Sequence, residues 1–243
     1  TMKEWFADVA SQFNQAFIEK DRWMQYLEGL WVTVRVAFLA LIIGIIIGVF
    51  VAVIRTAHDS RRKKKAGFED IVLDIADGIC KLYLTVFRGT PVIVQLLIIY
   101  YVIFASSAID KVIVAVIAFG LNSSAYIAEI VRSGIMSIDE GQFEAGRSLG
   151  FNYVQTMIYI VIPQVFKSVL PTLCNEFIVL LKETSVAGYV GIADLTKAGD
   201  LIRGRTFSAF MPLLAVAVIY LVIVMIMTKL LSILERRLRK SER

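Results

Sequence analysis

Long apolar runs separated by short charged stretches set the pattern of the chain. The first runs from about Trp31 to Ile54 without an alternating period. Such a run is too long and too continuous for a strand. It suits a helix crossing a bilayer, where every backbone group must pair within its own segment. A second stretch, Phe68 to Ala105, has two halves. In the first, Asp70, Asp74, Asp77 and Lys81 interrupt apolar residues at near-helical spacing. The second, from Pro91, is almost wholly apolar. Gly89 and Pro91 in the intervening FRGTP break or kink the helix, and Pro91 biases Thr90 away from helical angles. The whole counts as one long, bent span. A third span covers about Lys111 to Arg132, with Asn122, Ser123, Ser124 and Glu129 making one face polar; a structural ion pair suits Glu129 at least as well as a substrate contact. A fourth covers about Phe166 to Val190 and a fifth about Met211 to Leu234. Gly191 to Phe210 mixes charges with short apolar turns and reads as an interfacial helix or re-entrant loop. The pattern therefore predicts an all-α membrane protein with five transmembrane helices.

Smaller signals refine these elements. Gly44 and Gly48 form a small-xxx-small pair suited to close helix packing. Between the third and fourth spans, Ser137 with Glu140 and Asp139 with Gln142 each offer a capping pattern for a short helix ending near Leu149. Gly150 fits the left-handed position that closes a helix, and Asn152 with Gln155 starts another. That second helix is expected to stop at Pro163. Helix, glycine turn, helix is too short to fold alone. It either caps the bundle as a connecting hairpin or docks in a groove of a cytoplasmic protein, with Glu144 as a charged anchor.

Charge fixes the expected orientation. The 243 residues are 58% hydrophobic, with net charge +5 and mean hydropathy +0.71. Basic residues gather in Arg55 to Lys65 and in Glu235 to Arg243, each directly after a span. These clusters read as cytoplasmic membrane anchors rather than a nucleic-acid surface. Five spans then place the N terminus outside and the C terminus inside, in a multi-pass membrane protein. The expected divisions are residues 1–30, extracytoplasmic or interfacial; 31–234, transmembrane, with a cytoplasmic loop at 137–163; and 235–243, a basic tail. Residues 1–30 do not read as a cleavable signal, because no basic start leads into a short apolar core. Trp5, Trp23 and Trp31 suit an interface.

Candidate chemistry is sparse. Cys80 and Cys174 sit in apolar surroundings with no metal-ligand spacing. His58, the sole histidine, is expected in the exposed basic loop, and no catalytic triad assembles around it. No G-x-x-x-x-G-K-[ST] occurs, so this chain is not itself an ATPase. No convincing internal repeat points to an inverted-repeat secondary transporter.

Glu144, Ala145 and Gly146, then Gly150, then Ile160, Ile162 and Pro163 match the spacing of E-A-A, three residues, G, nine residues, I, one residue, L-P. Gly146 replaces the second alanine and Ile162 the leucine. This resembles the EAA loop of the permease subunits of bacterial ABC importers. FRGTPVIVQLLIIYY, LNSSAYIAEIVRSGI and IPQVFKSVLPTLCNEFIVLLKETSVAG are similar to signatures of the polar amino acid permeases. The likeness runs from Leu30 onward.

The resemblance implies a type I ABC importer permease fold with a cytoplasmic coupling helix. It implies a homodimer or heterodimer with a second permease, two cytoplasmic ATP-binding subunits that use ATP and Mg, and an extracytoplasmic amino acid binding protein. No cofactor is expected on this chain, which the resemblance places in the bacterial cytoplasmic (plasma) membrane, with membrane lipid as a further partner and no nucleic acid. The expected coupling residues are Gln142, Glu144, Ala145, Gly146, Arg147 and Gly150. For the substrate pathway the residues themselves speak. Ionisable groups within spans are costly and usually functional. Glu176 and Glu183 are seven apart and share a stripe with Thr172 and Val179, and Asn175 and Lys182 form the adjacent stripe. A zwitterionic amino acid needs an anion for its ammonium and a cation for its carboxylate. Glu176 and Lys182 fit those roles, with Asn175 and Glu183 in support; the bland alternative has Lys182 and Glu183 pairing with neighbours near the outer end. Arg88 either serves the carboxylate or holds the kink by bonding freed carbonyls. Two other readings remain: a secondary transporter or channel without an ATPase, and a membrane scaffold.

Overall fold

The computed structural model describes residues 2–60 and 67–240, and among them every regular element is helical. Most of the Arg55–Lys65 basic cluster and the last three residues of the tail lie outside the described residues. Helix α1, Met2–Phe13, leads through a wide turn at Asn14–Ile18 into a break at Lys20 and Asp21, both left-handed with φ of 56° and 52°. The Arg22 guanidinium donates to the Gln15 carbonyl across that break. Helix α2, Arg22–Asp59, follows, starting well ahead of Trp31. The first span is thus longer than its apolar run, because residues 22–30 bury Tyr26 and Gly29 against a later helix rather than against lipid.

Helix α3, Phe68–Gly89, and helix α4, Val92–Ile98, with a wide turn at Ile99–Ile103, are the two halves of the expected bent span. They meet at 109°. Thr90 is extended (φ −123°, ψ 147°), as the proline after it requires. The bend strands carbonyls at the end of α3. Gln95 donates to Phe87 O at 2.9 Å and Thr90 O at 3.0 Å, and Asn122 donates to Phe87 O at 3.2 Å. The kink is therefore held by Gln95 and Asn122, and the carbonyl-bonding role considered for Arg88 belongs to them.

Helix α5, Lys111–Met136, is the most buried of the spans and packs along α2. Gly44 and Gly48 make that approach possible. A Cβ on Gly48 would stand 2.9 Å from Ser124 O, and one on Gly44 3.0 Å from Ile127. Helix α6 is Glu140–Ser148 and helix α7 Tyr153–Thr156. Helix α8, Ile162–Glu183, continues from α7 through a wide turn at Met157–Val161. The expected stop at Pro163 is not there. Proline lies in the first turn of α8, where an N–H has no helical partner to lose, and the wide turn ahead of it absorbs the misfit. Helix α9, Leu195–Thr206, is the interfacial piece between spans, and helix α10, Phe210–Lys240, closes the chain. Among the described residues four helical stretches are long and apolar enough to cross a membrane, and the bent pair, taken as one span, makes the fifth. Their common core joins Val36 and Ala40 of α2, Leu96 of α4, Phe119 of α5 and Leu180 of α8.

Candidate functional site: a coupling helix and the polar groups behind it

Helix α6 is built by local rules. Asp139 caps it, its carboxylate accepting from the Gly141 N–H at 2.6 Å, while the Ser137 hydroxyl turns back to Gly134 O. Of the two capping patterns, the second is used. At the other end Gly150 has φ +83°; its N–H reaches Arg147 O at 2.9 Å and the Phe151 N–H reaches Gly146 O at 3.0 Å. This paired closure needs a left-handed residue, which glycine provides without strain. Asn152 and Gln155 then exchange reciprocal 2.9 Å bonds that start α7. Gly146 is buried, and a Cβ there would collide with the Thr156 side chain. The departure from alanine at that position thus follows from how closely α6 sits on α7. Phe143 packs beside Val161 and Val165 and stacks on Tyr153, and Gln164 donates to Gln142 at 3.2 Å. Glu144, Ala145, Arg147 and Leu149 face outward, Leu149 71% exposed. One side of α6 is riveted to α7 and α8; the other presents an acid, a base and an apolar side chain.

The intramembrane candidates separate. Glu176 is 8% exposed and accepts from Ser123 Oγ at 2.9 Å, so it points at α5. Glu183 is half-buried on the same stripe. Asn175 and Lys182 are exposed on another side of α8. Within one copy the structure does not bring Lys182 to Glu176. Arg88 is half-exposed at the end of α3, 3.8 Å from Glu129 and over the Tyr126 ring at 5.8 Å. It stands between two open polar cavities of about 490 and 500 Å³, the second reaching Ser168 and Thr172 of α8.

Residues 73–240 match the family described as binding-protein-dependent transport system inner membrane component. The chain belongs to that family. It is 35% identical over 218 residues to the arginine transport system permease protein ArtQ of Bacillus subtilis, covering 89% of this chain and 93% of that one. It is 35% identical to the glutamine transport system permease protein GlnP of Escherichia coli K12, covering 88% and 92%. Among solved structures, an amino acid ABC transporter with histidines superposes with TM-score 0.76 at 39% identity, covering 88% and 94%. The MetNI methionine ABC transporter, in an inward-facing form, gives 0.74 at 19% identity, covering 90% and 99%, a likeness of fold alone. The protein is a permease: a multi-pass inner-membrane component with the type I importer fold, non-catalytic, in a family whose ATPase is a separate subunit.

In this permease the residues least visible from sequence are those that clamp α2, α3 and α5 together. Arg55 lies 2.6 Å from Glu129 and 3.6 Å from Asp77, and Lys81 lies 2.7 Å from Asp77. Arg132 meets Asp59 at 2.8 Å. His58 is not in an exposed loop: α2 extends past it, and its ring sits against Asp74 at 3.2 Å with Asp59 and Asp77 near by. The signal for this was present as an acidic row on the first half of the bent span, facing a base-bearing helix end. The Tyr83 hydroxyl donates to Leu121 O at 2.7 Å and also meets Ser124, and nothing in the sequence singled it out. Gln95 could have been found as a lone amide in an apolar run, where an unpaired polar group is expensive.

Proposed function

We propose that this permease, together with a second permease subunit, forms the membrane pathway of an ATP-driven importer for a polar or charged amino acid. The arginine and glutamine named for its relatives support that substrate class. An extracytoplasmic binding protein delivers the amino acid, and two cytoplasmic ATP-binding subunits, which use ATP and Mg, supply the energy. The N terminus lies outside and the C terminus inside, which puts Arg55 and the tail beginning at Glu235 on the cytoplasmic side with α6.

The observation that carries this reading is the two-sidedness of α6. Its outward face, with Glu144, Ala145 and Arg147, is free to be gripped by an ATPase, and Glu144 suits a basic residue across the interface. Its inward face is locked to Thr156 through Gly146, and Gly150 fixes the turn. A displacement of α6 therefore passes into α7 and on through α8, the helix that holds Glu176. Glu176 takes the substrate ammonium. Lys182 with Asn175, on the exposed side of α8, meets the carboxylate across the subunit boundary, and Glu183 and Arg88 line the path on either side. Closing of the ATPases on ATP shifts the cavity from one side of the membrane to the other.

The test is Glu144→Arg in the intact transporter. Co-purification of the ATP-binding subunit is expected to drop and ATP-driven uptake to be lost, with the thermal stability of the permease unchanged. Uptake and association that both survive the charge reversal exclude α6 as the coupling element.

A further inference from the structure

The side of α8 opposite Asn175 and Lys182 opens into an apolar groove. Phe166, Leu170 and Phe177 of α8, Phe38 of α2, and Met227 and Leu234 of α10 line it, and its volume is about 430 Å³. Hydrocarbon surrounds it on every side except for the Cys174 thiol. From Phe166 to Ile178 the helix rises roughly 18 Å at the usual 1.5 Å per residue, close to the roughly 15 Å depth of one hydrocarbon leaflet. The groove thus has the length and lining of a site for a single acyl chain.

Its cytoplasmic end is basic. Lys167 follows Phe166 at the mouth, and Arg237 continues the stripe of Leu230 and Leu234 one turn further along α10. Both are exposed, and among the described residues neither is ion-paired. Glu235 continues the stripe of Leu231 at the other edge of the groove, on the far side of α10 from Arg237 at helical spacing, so the mouth carries two bases and one acid. Cations at this level stand where the phosphates of the inner leaflet lie.

The direction of the groove decides between occupants. Polar and ionisable groups of a span face a protein interior or a water-filled path, not lipid. Asn175 and Lys182 therefore mark the side of α8 turned to the pathway and the second permease, which leaves the opposite side turned to the bilayer.

We propose that this groove binds an anionic phospholipid of the cytoplasmic leaflet, one acyl chain lying along α8 and the phosphate meeting Lys167 and Arg237. The lipid wedges α8 against α10, on the helix that continues from the coupling segment. The assignment rests on the function proposed above for the choice of leaflet and for the side of α8 turned to the second permease.

The intact transporter, with its ATP-binding subunits, is reconstituted in nanodiscs of mixed phosphatidylcholine and phosphatidylglycerol. It is then transferred to mild detergent, and the retained lipid is identified by native mass spectrometry. Phosphatidylglycerol is expected to be retained over phosphatidylcholine. In Lys167→Ala/Arg237→Ala that preference is expected to fall on the order of tenfold, each base contributing to anionic attraction, while some lipid of either kind stays bound. Leu170→Trp, which fills the groove and keeps both bases, is expected to lower retention of both lipids. Subunit co-purification checks assembly in each case. Equal retention of the two lipids by the unaltered protein, or a preference untouched by the double substitution, overturns the proposal. So does rapid cross-linking of Cys174 to the Cys174 of a second copy by a short bis-maleimide, which would show protein covering the groove. Retention is read in detergent, so an inverted topology leaves it unchanged and is detected separately, by labelling from one side of the membrane.

Discussion

Two buried carboxylates serve different ends. Among the described residues the hydrogen bond to Glu176 comes from the Ser123 hydroxyl on Oε1, which leaves Oε2 for a substrate. Glu176→Gln keeps the shape and the Ser123 contact but removes the charge. Uptake by the reconstituted transporter is expected to fall by at least about tenfold, since unpairing one member of a desolvated ion pair costs ~2–5 kcal/mol, with subunit assembly retained. Wild-type uptake by that variant removes Glu176 from the pathway. Asp194, by contrast, is structural. It caps α9 by accepting from the Thr196 and Lys197 N–H groups at 3.0 and 3.2 Å. Burial outweighs those bonds and pushes its carboxyl from 3.8 up to about 6. Between those values the folded state holds a proton that the unfolded chain has released. The stability of α9 is therefore greatest in acid, falls as pH rises through about 4 to 6, and is level above. Asp194→Asn keeps an acceptor for the cap and has no proton to lose. Hydrogen exchange in α9 should quicken across that window, after correction for intrinsic rates, in the native permease and stay flat in the variant. A slope that persists in Asp194→Asn assigns it to another group.

At the scale of elements, close packing and turn chemistry behave differently. The α2–α5 contact depends on missing side chains. Gly48→Val would drive methyl groups into Ile127 and the Ser124 carbonyl. Overpacking of this kind costs ~1–3 kcal/mol or more. Gly78, in α3, has nothing within 4 Å of where a Cβ would go, so Gly78→Ala should be neutral or gain a few tenths of a kcal/mol to ~1 kcal/mol from helix propensity. Thermal unfolding of the two variants side by side checks the contrast; equal midpoints would mean α2 and α5 can separate at little cost. The Gly44/Gly48 contact was legible because glycine four apart in a span has few other uses. The caps at Asn152 and the turn at Gly150 were legible because each is completed within five residues of chain. The continuation through Pro163 was not, since a local rule sees the missing N–H and not the wide turn before it.

For the whole molecule, the placement of basic residues and the count of crossings make one joint statement about sidedness. In a background lacking Cys80 and Cys174, Ser107→Cys is expected to react with a membrane-impermeant maleimide in intact spheroplasts. Glu140→Cys is expected to react only after permeabilisation. Labelling of Glu140→Cys from outside would invert the topology and place α6 beyond the reach of any cytoplasmic ATPase. The clamp of Arg55, Asp77 and Glu129 belongs to this scale too. It ties three helices at one end of the bundle, adding charge pairing to the apolar contacts of Cys80 and Leu84 with Val51 and Ala125 and to the Tyr83 bond to α5.

The sequence by itself determined the apolar spans, the helix–turn–helix between the third and fourth, and the family, because each depends on runs and spacings along one stretch of chain. Only the tertiary structure decided the 109° bend and which amides hold it. It alone decided that Glu176 turns to Ser123 while Lys182 turns away. It also paired Arg55 with Glu129 across 74 residues of sequence. Such pairings depend on how each helix is rotated about its axis. In a bilayer that rotation is settled by packing and by the search of every polar group for a partner, and these act between helices, not along them.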